Sequence, residues 1–123
     1  MASKYEQGIV RRSFVSANNL VGQEGYAIAY DGSLTANNSQ VAFGVIRRGA
    51  PANQASEIIT QGTCMGYVYL PANNALAVGD KLSSSANGTF EKAGASTYVR
   101  AVAREAVSAS ANASTNYVMI ELL

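Results

Sequence analysis

The sequence predicts an all-β chain: a small single-domain β-barrel or sandwich with an extended N-terminal arm. Three observations predict it. Tyr98–Arg104 alternates, with Val99, Ala101 and Ala103 on one side and Tyr98, Arg100, Val102 and Arg104 on the other, and Tyr117–Leu122 alternates again. That period of two belongs to strands. Asn87-Gly88 sits in a polar Ser83–Gly88 stretch, before Thr89-Phe90, and is a favoured hairpin dipeptide. Short β-rich runs recur with turn residues between them at a spacing of about 8–12 residues, the rhythm of a small barrel or sandwich.

In chain order, Met1 to about Leu20 reads as the arm and residues 21–123 as the β domain. The arm carries Tyr5, Ile9, Val10, Phe14 and Val15, too few apolar groups for a core, and the pair Arg11-Arg12. It is either an ordinary first strand or a segment that orders on a partner. Gly25–Tyr30 alternates large and small residues, and Asp31-Gly32 turns the chain. Gln40–Arg48 reads as a strand with Val41, Phe43 and Val45 facing one way. Gly44 within it marks a bulge or a close backbone approach. Glu57–Cys64 and Met65–Leu70 read as two further runs punctuated by Gly62 and Gly66, and Pro71–Asn74 as a loop. Val78–Leu82 is a turn feeding a strand, in which Asp80 can bond its own backbone two residues on. Val99–Val107 also fits helical spacing, so a helix is the rival for that stretch. Ser108–Asn116 reads as an exposed polar loop.

Composition narrows the function. A chain of 123 residues is one domain by default. Its net charge of +1 provides no basic field for nucleic acid. No segment approaches the roughly 18 apolar residues of a membrane span. Neither nucleic acid nor membrane is therefore expected as a partner. One cysteine, Cys64, fits a reducing compartment and a chain folded in a cytoplasm. Charged residues make up 14% of the chain, against about 25% in ordinary domains. Ala, Ser, Asn and Gly replace them, a composition that suits either a neutral soluble domain or one packed against others.

Chemistry is sparse. The chain has no histidine, which removes the commonest general base and metal ligand. Neither a cofactor nor a metal is expected. Cys64, in an apolar run, reads as a small buried hydrophobe. The carboxylates are scattered, and Asp80 reads as a turn cap. A small hydrolase using Asp80 or Glu105 would need carboxylates to converge on one cleft. An arginine pair on a strand sends one side chain to each face. Arg11-Arg12 and Arg47-Arg48 are therefore solvated faces, or bidentate partners for acidic groups.

The order Gln61-Gly62-Thr63, Leu76–Leu82, Val99–Ala106 and Tyr117–Leu122, with Gly44-Val45-Ile46 ahead of it, resembles the small β-rich capsid decoration (head-stabilising, cement) proteins of tailed bacteriophages. The likeness runs from about Gly25 onward and is one of rhythm. It implies a structural, non-enzymatic virion protein on the outer surface of the capsid, made in the host bacterial cytoplasm. Its partners would be the major capsid protein and two further copies of itself in a homotrimer that clamps neighbouring subunits. Tyr5, Ile9, Arg11, Arg12 and Phe14 of the arm are the candidate capsid-binding residues. Another virion β-module, a head fibre base or tail component, is the alternative.

Overall fold

Strand β4 (Ala55–Leu70) is the longest strand, and it pairs with four others, two along its first half and two along its second. The computed structural model describes residues 6–95 and 97–123. Before β4 come β1 (Gln7–Val15), β2 (Ala27–Ala29) and β3 (Ala42–Arg48). After it come β5 (Lys81–Ser84), β6 (Phe90–Lys92), β7 (Ala101–Ala103) and β8 (Ser114–Leu122). The chain is all-β, and it is a barrel with extra strands.

The barrel uses the second half of β4. From Gly62↔Leu122 to Leu70↔Ser114 this half pairs antiparallel with β8. Strand β8 pairs with β7, β7 with β5, and β5 with β6. Strand β6 returns to β4 in parallel at Val68↔Phe90, which closes a five-stranded ring. Closure leaves none of these strands with a free edge along the ring. Cys64, Val68 and Leu70 alternate inward from β4, and Val118, Ile120 and Leu122 from β8. They meet Leu82 and Phe90, both fully buried. Burying one such side chain contributes about 1.5–3 kcal/mol.

The first half of β4 lies in a separate wing. It is flanked by β1 on one side and β3 on the other, with β2 outside β3. Consecutive residues are buried here. Val45 and Ile59 pack into the barrel-side cluster, while their neighbours Ile46 and Ile58 join Leu20 and Ile28 in a second cluster on the opposite face. Gly44 makes this packing possible. A Cβ there would lie 2.2 Å from the Ile59 carbonyl oxygen and 2.7 Å from Ile58 Cγ2. The close approach expected at Gly44 is therefore present.

Where β4 passes from wing to barrel it bends at Gly62, with φ +104°. A side chain at Gly62 would meet the Gly8 carbonyl oxygen at 2.5 Å. The pairing of β1 shifts register opposite this point, the mark of a bulge.

Arg100 pins wing to barrel. Its side chain is 8% exposed. Nε donates to the Ala42 carbonyl (2.9 Å), Nη1 to Leu123 (2.6 Å), and Nη2 to Phe43 (3.1 Å) and Thr60 (2.6 Å). Burial lowers its pKa from the usual arginine value, and four carbonyl dipoles stand in for the lost hydration.

Several expectations are corrected. Glu57–Cys64 and Met65–Leu70 form one continuous strand, because Gly62 bends the chain without reversing it. Val41, Phe43 and Val45 do not share a face. Ile28 pairs with Gly44 and Ala29 with Ala42, so Phe43 is the extra residue of a bulge and turns to the second cluster. The strand expected over Tyr98–Arg104 is confined to Ala101–Ala103, and no helix forms over Val99–Val107. Ser83 and Ser84 are buried strand residues, not loop, and Ser84 Oγ accepts a bond from the Ala42 N–H. Asp80 Oδ2 accepts from Ala77, three residues back. The Asn87-Gly88 turn is as expected: both residues have positive φ, at 59° and 73°, the geometry of a tight hairpin turn.

Candidate functional site

The arm's described part, β1, lies antiparallel along the wing half of its own chain's β4, from Val15↔Ala55 to Gln7↔Thr63. Among the described residues it pairs with no other strand, so its outer edge carries unpaired backbone groups. The candidate residues separate by environment. Ile9 packs against the barrel-side cluster. Phe14 joins the second cluster, its ring 5.1 Å from that of Phe43. Val10, Arg11 and Arg12 are exposed. Tyr5 lies outside the described residues.

The arginines have different roles. Arg11 Nη1 stands 3.5 Å from Glu57 Oε1 in an exposed pair. Arg47 Nη1 reaches the same oxygen at 2.7 Å, and its Nε lies 3.0 Å from Glu6 Oε2. The bond to Glu6, more than that to Glu57, raises the Arg47 pKa. Arg12 and Arg48 are exposed and outside these pairs. In each pair one arginine is engaged with Glu57 and its neighbour is not.

Between wing and barrel runs a cleft of about 570 Å³, lined by Glu6, Glu24, Arg47, Glu105, Met65 and Tyr117 among others. Three carboxylates therefore border one depression, and each is engaged. Glu6 pairs with Arg47, Glu24 Oε2 accepts from the Gly49 N–H at 2.8 Å, and Glu105 Oε1 accepts from the Met119 N–H at 2.7 Å. Each carboxylate thus braces one segment of chain against another. Asp80 lies elsewhere, in its own turn 3.8 Å from Lys92 Nζ. Cys64, at the cleft floor, is fully buried, and burial pushes its thiol up to about 12. A thiol held in that form is a poor nucleophile. Among the described residues no group of three His, Cys, Asp or Glu side chains is placed to hold a metal ion.

A third region is aromatic. Tyr26 stacks on Tyr67 with centroids 4.3 Å apart, and Tyr67 meets Tyr117 at 4.7 Å. This row crosses from the approach to β2, over β4, to β8. Beside it Tyr69 is 39% exposed.

The ion pairs and Arg100 were not legible in the sequence. The pairs join residues between 10 and 46 positions apart, on different strands or loops, and Arg100 binds bare carbonyls; no local spacing encodes such partners. The tyrosines were visible as a type, but their stacking was not.

No known family profile matches this chain, and no curated protein matches it. A solved structure does: the head fiber gp8.5 N base of bacteriophage phi29, with a TM-score of 0.56 over 94% of each chain and 14% sequence identity. The two folds are similar end to end. At that identity the likeness concerns the fold alone.

Proposed function

We propose that this chain is a structural virion protein of a tailed phage, seated on the outer surface of the capsid with the major capsid protein as its partner. One observation carries the reading: the whole chain, barrel and wing together, shares its fold with a phage head fibre base over 94% of both chains. In this reading the protein clamps neighbouring capsid subunits, as a homotrimer, and performs no catalysis. It engages neither nucleic acid nor membrane.

The outer edge of β1 is the docking element. An extended segment of the capsid subunit adds to it as a further strand, with backbone bonds giving affinity and side chains giving register. Val10, Arg11 and Arg12 face that segment or flank it, and carboxylates on the subunit meet the two guanidiniums. A second copy of β1 fits worse, because antiparallel self-pairing centred on Arg11-Arg12 sets like charges opposite one another.

Mixing purified protein with expanded, undecorated capsids tests this. Co-sedimentation and density on the shell exterior are expected, and protein left in the supernatant overturns the reading. Isolated monomers on the shell would exclude the trimer. The similarity to a fibre base supports a second reading, a base that carries a fibre. Imaging separates the two: a clamp covers the whole head, and a fibre base marks only fibre positions.

A further inference from the structure

At the end of the tyrosine row is a smaller pocket of about 310 Å³, near the lower end of the about 300–1,000 Å³ typical of small-molecule sites. We propose that it binds a neutral saccharide unit. Its walls come from four places: Tyr26 before β2, Tyr69 on β4, Thr115 on β8, and Ser85, Asn87 and Thr89 of the β5–β6 hairpin. None belongs to β1, so the site is separate from the proposed docking edge.

The chemistry of the wall selects the ligand. No lysine, arginine, aspartate or glutamate lines it. A phosphate or carboxylate would find no cation there, and an amine no anion. A purely aromatic or aliphatic ligand would cover the polar groups and leave them unpaired, a cost such groups do not tolerate. The side-chain amide of Asn87 and the hydroxyls of Tyr26, Tyr69 and Thr115 make no bond to other described residues. Hydroxyls and an amide each donate and accept. A ligand that does both from many positions, without charge, and that offers an apolar C–H face to a tyrosine ring, is a sugar ring.

The pocket is also prebuilt. Tyr67 backs the Tyr26 ring at 4.3 Å. The hairpin that carries Asn87 is held by the Ser85 N–H to the Thr89 carbonyl (2.8 Å) and by Thr89 Oγ1 to the Ala86 carbonyl (2.8 Å). Asn87 itself is left-handed, with φ 59° and ψ 32°, which sets the direction of its Cα–Cβ bond. A rigid wall loses little freedom on binding.

The test is saturation-transfer NMR on the whole chain, with glucose, galactose, N-acetylglucosamine and their neutral trisaccharides as probes. Glucuronate and glucosamine serve as charged controls. Saturation of the sugar C–H protons is expected for at least one neutral sugar, with a Kd in the millimolar range of about 1–10 mM, tighter for the trisaccharide if a polymer is the natural source. Tyr69→Ala and Asn87→Gly are expected to weaken binding by roughly tenfold or more with an unchanged melting temperature; glycine keeps the left-handed turn and removes only the amide. If a variant loses its fold, Thr115→Val replaces it. Absence of binding by every neutral sugar overturns the proposal. So does equal binding by the charged controls, or binding that survives the folded variants.

Discussion

The two halves of β4 bury themselves differently. From Cys64 to Leu70 the burial alternates strictly: Cys64, Gly66, Val68 and Leu70 point in, and Met65, Tyr67 and Tyr69 point out or lie half covered. One face has a core and the other has solvent or the aromatic row. From Ala55 to Gln61 the alternation fails, because Ile58 and Ile59 are both buried, in different clusters. One half is a barrel stave, and the other is the middle strand of a wing with apolar packing on both faces. The barrel stands on contiguous apolar packing. The wing adds a set of ion pairs and a glycine that lets two strands close up, and one buried cation from the barrel side ties it down.

That contrast predicts where damage is greatest. Phe90 is fully buried, sits at the parallel β4–β6 contact and closes the ring. Phe90→Ala should cost about 3–5 kcal/mol, read as a loss of urea midpoint. A loss below that of a surface substitution would mean the ring does not depend on this contact.

The wing should break at Arg100. Arg100→Met keeps much of the side-chain volume and removes four hydrogen bonds to Ala42, Phe43, Thr60 and Leu123. A loss of about 2–4 kcal/mol is expected from the unpaired carbonyls. Hydrogen exchange sharpens the point: amides of β3 should lose protection more than those of β8. Uniform loss would mean that wing and barrel unfold as one unit.

The same contrast explains what could be read in advance. Tyr117–Leu122 and the Asn87-Gly88 turn were legible because the barrel half obeys local rules: one buried face gives a period of two, and a tight turn demands its own residue types. The wing half was not. Burial on both faces erases the alternation, so Ile58-Ile59 and Val45-Ile46 carry no phase. Gly62 reads as a break when a bend and a turn look alike in sequence. Arg100 reads as an outward residue of a strand that in fact begins at Ala101, and carbonyls of the wing cover it. The partner of β1, β4 of the same chain, lies 40 or more positions away, beyond any local pattern.

Cys64 sets a smaller effect with a definite sign. Burial pushes its folded thiol up to about 12, from an ordinary value of 9.0. Because the folded value is raised, the group's contribution is fully present below about pH 9 and is lost as pH rises toward 12. At pH 10 the loss is about 1.4 kcal/mol, one unit of titration in the unfolded chain. Tyrosines and lysines titrate in the same range, so the measurement is a difference. The stability of the native chain should fall between pH 8 and pH 10 by about that amount more than that of Cys64→Ala. Iodoacetamide should leave Cys64 unmodified in the folded protein and alkylate it in urea. Rapid labelling of folded protein would place the thiol at the surface.

The smallest effect on stability falls on the residue with the largest proposed role at the capsid. Arg12 is exposed on β1, and among the described residues none of the ion pairs of the wing includes it. Arg12→Glu should therefore shift stability by no more than about 0.5 kcal/mol. Arg11→Ala removes only the exposed 3.5 Å pair with Glu57, a contact of about 0–1 kcal/mol. On expanded capsids the order should reverse. A charge reversal at Arg12 sets like charges against the acidic segment that the β1 edge is proposed to meet, and occupancy should drop, most strongly at low salt where screening is weakest. Deleting the chain through Ser13 cannot make this separation, because it also removes Ile9 from the barrel-side cluster and the β1–β4 ladder from the wing. The point substitution leaves both in place. If Arg12→Glu melts like the native chain yet decorates capsids equally well at every salt concentration, the β1 edge is a structural margin of the wing, and the docking surface is elsewhere on the molecule.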